Sequence, residues 1–413
     1  MEFDNLPEGW NDLKLGSLCK VSSSKRIFSR EYVDSGIPFY RSKEIIEKAN
    51  QQQISSPLYI SRERFNEIKS KYDVPEEGNI LITSVGTIGI PYIVKENEEF
   101  YFKDGNLTIL NNYKKNTISH FLYYWINSKK TQEQIDSVLI GTTQKALTIQ
   151  NLKNLKIKLP TLREQQKIAL ILSAFDDKIE LNNQINKNLE DMAQALFKSW
   201  FVDFEPFLDG EFEESELGMI PKGWSVDTIG NISNVITGKT PSTRQTENYG
   251  GKYKFITIPD MHNNIFIIKT ERSLSEIGNQ AQPKKLIPEN SLIVSCIATV
   301  GLVSIVSEPS HTNQQINSVV CKDTLLYYLY SFFKLYAEDL KQLGSAGTAT
   351  LNVNKTTFEG IKVILPTINM LEEYTNKVKP FFEQIKINTL QNQTLSKQRD
   401  TLLPKLMSGE IRV

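Results

Sequence analysis

The sequence predicts an α+β protein in which two pseudo-repeated mixed α/β domains are separated by two long helices forming an antiparallel coiled coil. Two observations predict it. Two helical seams recur at a fixed offset, and the chain around them is written twice, landmark for landmark.

The first seam lies in Thr161–Trp200. Steps of four and three from Ile168 reach Leu172, Phe175, Ile179, Asn182, Asn186, Leu189, Ala193, Leu196 and Trp200. No Gly or Pro interrupts this ladder, and Pro160 sits where a helix can start. The second ladder reads Val378, Phe381, Ile385, Asn388, Asn392, Leu395, Arg399, Leu402 and Leu406. The offset is 378 − 172 = 206, and both asparagines fall on both asparagines. A buried seam asparagine fixes register at some expense of stability, so Asn182, Asn186, Asn388 and Asn392 are read as register residues. Pro380 interrupts the second pattern and predicts a kink or a late start.

The repeat begins with Leu6-Pro7-Glu8-Gly9-Trp10 and returns as Ile220-Pro221-Lys222-Gly223-Trp224, offset 224 − 10 = 214. Each copy continues with an extended aromatic segment (Ile37–Ser42 and Tyr253–Thr257) and a strand–turn–strand (from Ile80 and from Leu292). An aromatic helix follows (His120–Ser128 and Leu325–Tyr336), then a Gly-Thr loop and a strand ending in Leu-Pro-Thr. The expected order is a first domain over 1–160, a helical arm over 161–205, a second domain over 206–366 and a second arm over 367–413. The acidic run Glu211–Glu216 reads as a solvated linker.

At 413 residues with 39% apolar and 23% charged residues, the chain has the composition of a soluble protein able to build two cores. Its zero formal charge argues against coating nucleic acid by charge alone. Cys19, Cys296 and Cys321 are an odd count without paired spacing, which points to a reduced, cytoplasmic setting, and MEFDNLPEGW lacks the order of a signal peptide. Ser291–Ser307 is uncharged, but its β-branched residues and the central Thr299-Val300-Gly301 fit two buried strands and a turn rather than a membrane span.

No catalytic motif emerges. There is no Asn/Asp-Pro-Pro-Tyr/Phe element and no Gly-x-Gly cofactor loop. Gly238-Lys239-Thr240 lacks the earlier glycine of a phosphate-binding loop, where Ser233 stands. His120, His262 and His311 are dispersed with no cysteine at ligand spacing, so no metal site is expected.

LREQQKIALILSAFDDKI, AQALFKSWFVDFEPF and the closing segment Gln398–Ile411 resemble the specificity (S) subunit of type I restriction-modification systems. The openings PEGW and IPKGW and the element Gly238–Ser242 are similar too, so the likeness covers the whole chain. The resemblance implies two target-recognition domains, each reading one half of a split, asymmetric sequence in double-stranded DNA. It implies two methylation subunits as partners and, through them, a restriction/translocase subunit. S-adenosylmethionine and ATP would belong to those partners, with no cofactor, no catalysis and no membrane contact in this chain. Helices of about 40 residues at about 1.5 Å each would act as a ruler of about 60 Å. The chain departs from the most regular members at Pro380 and Arg399. A rival reading is a duplicated scaffold that binds proteins, which zero net charge permits.

Specific reading needs paired donors and acceptors: Arg or Lys toward guanine, Asn or Gln toward adenine. The candidates in the first domain are Lys25, Arg26, Arg41, Lys43, Thr87, Lys103, Asn106, Thr142, Thr143, Gln144 and Lys145. In the second they are Lys239, Thr243, Arg244, Thr257, Gln314, Gln315, Asn317, Thr348 and Thr350. The glycine-led loop Gly141–Lys145 and the amide cluster Gln314-Gln315-Ile316-Asn317 stand out, while Lys25 and Lys239 suit phosphate contacts. Tyr123, Tyr124, Trp125, Tyr327 and Tyr328 are expected to pack inside. Trp200, Phe201, Phe204 and Phe207 suit either the core or a partner.

Overall fold

The computed structural model describes residues 6–50, 54–141, 145–345 and 351–413. The chain divides into two compact units, Met1–Glu180 with Gln393–Val413, and Leu181–Asn392. The long helices, Leu162–Phe201 and Ile368–Ser408, are each shared between the units. The division falls inside the helices because each half-helix buries its apolar face in a domain core. The boundaries read from the sequence at 160 and 366 therefore mark changes of secondary structure, while the cores run on into the helices.

In the first unit, Asn11–Lys14 pairs antiparallel with Lys156–Leu159 and ties the beginning of the domain to its end. A four-stranded antiparallel sheet follows, in the order Lys20–Ser22, Leu107–Asn111, Ile80–Thr83, Pro91–Ile93. The central strand Ile80–Thr83 is buried throughout, and alternation explains why. Ile80 and Ile82 enter a core shared with Phe121, Ile168, Leu172 and Leu406, and Leu81 enters a second core with Phe39, Tyr101 and Ile109. A second sheet, Tyr32–Val33, Leu58–Ile60, Ile37–Tyr40 and Tyr101–Phe102, completes that second core. Burying Ile168 and Leu172 stabilises the helix docking by roughly 1.5–3 kcal/mol per side chain. Arg412 near the C-terminus donates to Glu164 at 2.7 and 3.0 Å and to the carbonyl of Glu8 at 2.9 Å.

The second unit repeats this plan. Ser225–Thr228 closes against Lys362–Leu365. A five-stranded sheet runs Asn234–Thr237, Ile316–Val320, Leu292–Ser295, Val303–Val306, Phe266–Ile267. Leu292 and Val294 face the helix-side core and Ile293 faces the other, as in the first unit. The uncharged run Ser291–Ser307 is thus two buried strands and a turn, and no described helix is long and apolar enough to cross a membrane. A three-stranded sheet of Arg272–Leu274, Tyr249–Ile256 and Ser310–Thr312 covers the second core.

Repeated sequence landmarks are repeated local geometry. Gly9 and Gly223 have φ of +81° and +84° in matching turns, with Trp10 N–H donating to Pro7 O at 3.0 Å and Trp224 N–H to Pro221 O at 3.1 Å. A β-turn with positive φ at its third residue favours glycine there. Gly16 and Gly230 are required for another reason. A Cβ would sit 2.9 Å from Lys153 Cβ in one unit and 3.0 Å from Glu359 Cβ in the other.

The long helices run antiparallel. Within the second unit, Asn182 Nδ2 donates to Asn392 Oδ1 at 2.8 Å and Asn388 Nδ2 to Asn186 Oδ1 at 2.8 Å. One residue number rises by four as its partner's falls by four. Within the first unit, Arg399 pairs with Asp176, which also accepts from Tyr124 Oη at 2.6 Å.

Two expectations are corrected. The acidic run is not a linker: Phe212–Ser215 forms a hairpin with Gly218–Pro221, Glu211 and Glu216 pair with Lys222 and Lys362, and the Phe212 ring lies 5.9 Å from Phe204. The four glutamates are all exposed and only Phe212 packs, so the run has the composition of a linker. Of the kink or late start expected at Pro380, the late start does not occur. The second helix is continuous from Ile368 through Pro380, which lies on an exposed face where water can take the carbonyl that proline leaves without its donor. Trp200, Phe201, Phe204 and Phe207 pack with Trp224, Tyr328 and Tyr374 in the second unit's core. Tyr124, Trp125 and Tyr328 are buried, with Tyr123 and Tyr327 packed beside them.

Candidate nucleic-acid interface

Antiparallel pairing brings loops from distant sequence to one end of each main sheet. In the first unit the strands leave Ser22 and Thr83 and return at Leu107 and Pro91 on the same rim, since Ser22 opposes Ile109, Thr83 opposes Leu107 and Ile82 opposes Pro91. The rim collects residues 23–26, the turn 84–90 and residues 103–106. It also includes 145–147, where Val85 bridges Ala146 and Leu147 N–H donates to Ser84 O at 2.9 Å. The start of the helix Ser42–Ala49 joins it: Ser42 Oγ donates to Asn106 O at 3.3 Å and Lys103 N–H to Tyr40 O at 2.8 Å.

All the described sequence candidates of this unit lie on that rim, in different states. Lys25, Thr87 and Lys145 are exposed; Lys25 Nζ stands 5.6 Å from the Tyr72 ring centre. Lys103 and Asn106 are half-buried, and Asn106 O accepts from Ser84 N–H at 2.8 Å. Arg26 is held by Asp104 at 2.9 Å, an exposed pair of little energetic weight. Lys43 is exposed and reaches Ser56 Oγ at 3.5 Å. Arg41 is committed inward: its backbone N–H donates to Glu44 at 2.8 Å and its guanidinium clasps the same carboxylate, which is fully buried. Burial alone would raise the Glu44 carboxyl, but the Arg41 hydrogen bonds outweigh it and hold it below the ordinary range. Thr142, Thr143 and Gln144 lie outside the described residues.

In the second unit Thr237 opposes Asn317 and Ser295 opposes Ile316, so residues 238–245, the turn 296–301, residues 313–315 and 351–353 converge likewise. Ile297 bridges Asn352, Val353 N–H donates to Cys296 O at 2.8 Å, and Ala298 N–H to Leu351 O at 3.0 Å. Gly238 is required for packing: a Cβ there would lie 2.2 Å from Asn313 O. Lys239, Thr243, Arg244 and Gln314 are exposed, and Gln314 Oε1 accepts from Thr240 Oγ1 at 2.5 Å. Gln315 is half-buried and accepts from Asn313 Nδ2 at 3.0 Å. Thr257 caps a short helix through Asp260, with Oγ1 to Oδ2 at 2.7 Å. Asn317 is 2% exposed and its amide is fully engaged below the rim. Thr348 and Thr350 lie outside the described residues. Lys25, Lys103, Lys145, Lys239 and Arg244 form no ion pair with any described residue. Among the described residues no group of His, Cys, Asp and Glu is arranged to hold a metal; His120 and His262 are exposed, and buried His311 bonds Asn279 at 2.9 Å.

The polar pairs beneath the rims escaped sequence reading. Ser84 Oγ and Thr108 Oγ1 meet at 2.8 Å in the first unit, where Cys296 and Asn317 meet at 3.3 Å in the second. The repeat offsets, 296 − 84 = 212 and 317 − 108 = 209, were the signal that could have linked them.

Comparison with known proteins also finds the chain to be two-fold. The model of the type I restriction modification DNA specificity domain matches residues 7–191 and again 221–397. The HindI specificity subunit of Haemophilus influenzae is 35% identical over 84% of this chain and 90% of its own length. The MjaIX specificity subunit of Methanocaldococcus jannaschii is 29% identical over 100% of this chain and 96% of its own. In fold, the chain is similar to the crystal structure of a type I restriction-modification S subunit from M. genitalium, with TM-score 0.57 and 17% identity over 98% of this chain and 97% of that one. With both repeats matched separately, this chain belongs to the type I restriction-modification specificity family.

Proposed function

We propose that the chain reads a two-part, asymmetric sequence in double-stranded DNA, one part with each unit, and so gives a type I restriction-modification complex its address. The chain itself is non-catalytic in this reading. Two methylation subunits carry S-adenosylmethionine and the reacting site, and a restriction/translocase subunit that uses ATP joins through them. The observation that carries it is the specificity-domain match to both repeats, on frames whose rims differ in the residues they present. At the rims, Arg26 and Gly105 in one unit stand where Thr240 and Gln314 stand in the other. A scaffold gripping one protein twice would keep these loops alike. Lys25, Lys103, Lys145, Lys239 and Arg244 suit phosphates, and Thr87, Thr243, Gln314 and Gln315 suit base edges.

The test is co-expression of the chain with a type I methylation subunit, followed by sequencing of modified bases. A two-part motif is expected, and replacing residues 220–366 with those of a relative should rewrite one part and leave the other. Rewriting of both parts, or of neither, would defeat the assignment of one part to each unit.

A further inference from the structure

Asn317 was a candidate for touching DNA, yet its amide turns inward and joins three separate segments. Its strand lies between Asn234–Thr237 and Leu292–Ser295. Oδ1 accepts from Thr237 Oγ1 at 2.7 Å, while Nδ2 donates to Val353 O at 3.4 Å and approaches Cys296 Sγ at 3.3 Å. Each contact anchors the root of a different rim loop. Thr237 precedes Gly238-Lys239-Thr240, Cys296 opens the turn to Gly301, and Val353 ends the segment that bridges back to Ile297.

The first unit solves the same problem with smaller groups. Thr108 stands opposite Ile82 as Asn317 stands opposite Val294, and Ser84 donates backbone and accepts backbone as Cys296 does. There the link is one hydroxyl–hydroxyl bond at 2.8 Å. Ser23, at the place of Thr237, instead donates to Leu107 O at 3.2 Å. Both pairs are buried: Ser84 and Thr108 are 4% and 3% exposed, and Cys296 and Asn317 are each 2% exposed. Buried polar groups that are fully partnered specify one arrangement of the segments they join.

We infer that Asn317, with Cys296, is a positioning residue for sequence reading by the second unit: it sets the mutual placement of the rim loops at residues 238–240, 296–301 and 351–353 without contacting DNA. This rests on the proposed reading of DNA by each unit. Loop placement decides which donors can reach a base edge together, so loosening the anchor weakens discrimination in one part of the recognised sequence only. Burial keeps the Cys296 thiol protonated, pushing it up to about 12, so it remains a neutral member of the pair.

The experiment uses the full chain co-expressed with a methylation subunit, as wild type, as Asn317→Leu, and as the double variant Asn317→Thr with Cys296→Ser, which installs the first unit's pair. Two measurements are made: hydrogen exchange at the amides of Cys296, Ala298 and Val353, and competition binding with DNA altered in either part of the recognised sequence. Asn317→Leu should speed exchange at Ala298 and Val353 and lower discrimination about tenfold at one part, the scale of a lost specific contact, leaving the other unchanged. The double variant should restore protection and most of the discrimination. Faster exchange with discrimination intact at both parts would overturn the inference while leaving the reading of DNA in place. Restored protection without restored discrimination would also overturn it, because the amide would then be acting on DNA directly. A wild-type chain with no two-part selectivity would remove the functional reading and this inference with it, a result that amide protection alone keeps distinct.

Discussion

Ala298 holds a left-handed backbone, φ +63°, at the turn where the first unit has Gly86 at φ +82°. A side chain there costs roughly 1–2 kcal/mol, partly offset by the entropy glycine loses on folding. Ala298→Gly should therefore raise the stability of the second unit by about 0.5–1 kcal/mol, seen as a higher urea midpoint, and Gly86→Ala should lower that of the first. An unchanged midpoint for both would mean that the turns relax freely. The Arg41–Glu44 clasp supplies a prediction with a pH sign. The folded Glu44 carboxyl lies below its ordinary value, so its contribution is present above the ordinary glutamate range and is lost as pH falls through the lowered folded value. Glu44→Gln should cost roughly 1–3 kcal/mol near neutral pH and flatten the acid limb of the stability curve, checked by urea melts across pH 3–7. Glycines at turns and close approaches were legible in the sequence because they repeat at constant offset. The inward aim of Asn317 was not. Alternation identifies a face only when one side of a sheet meets water, and both main sheets here are covered on both sides.

At the scale of the elements, the two seams could be read because helical periodicity and four aligned asparagines survive any tertiary detail. Their hydrogen bonding shows what those asparagines do in the second unit. Asn182 is 1% exposed and Asn388 is 4% exposed, each bonded to the opposite helix. Replacing only Asn388 with Leu strands the Asn186 partner and should cost about 1–3 kcal/mol, whereas Asn186→Leu with Asn388→Leu should recover most or all of that loss. A double-mutant cycle by denaturant melts checks it; additive losses would show that the pair is not coupled. Toward the C-terminal end of the first helix the seam departs from the expected ladder, with Phe197 and Phe201 buried beyond Ala193 rather than Leu196 and Trp200. The aromatic cluster around Tyr328 and Tyr374 draws the contact to that face. A four-and-three ladder assumes a helical partner at every turn, and here a domain core replaces it.

Across the whole molecule, 48 basic and 48 acidic residues cancel, so no global field draws in a polyanion. Attraction must come from local cations that acids do not already hold, and the rims separate the two kinds. Arg26 and Arg41 are bound to Asp104 and Glu44, while Lys25 and Lys239 form no ion pair with a described residue and project from equivalent loops, 239 − 25 = 214. Phosphate contacts are insensitive to sequence and release counterions, so each one lost lowers the slope of log affinity against log salt by about 1. Lys25→Ala and Lys239→Ala should each weaken binding to every DNA by a similar factor, reduce that slope by about 1, and leave the two-part motif as it was. Arg26→Ala should change the slope less, because Asp104 already neutralises that cation. Salt titrations of fluorescence-anisotropy binding on matched and scrambled DNA make the comparison. If Lys25→Ala or Lys239→Ala instead altered the motif and spared the slope, those lysines would be reading bases, and their charge would no longer account for the affinity of a neutral chain.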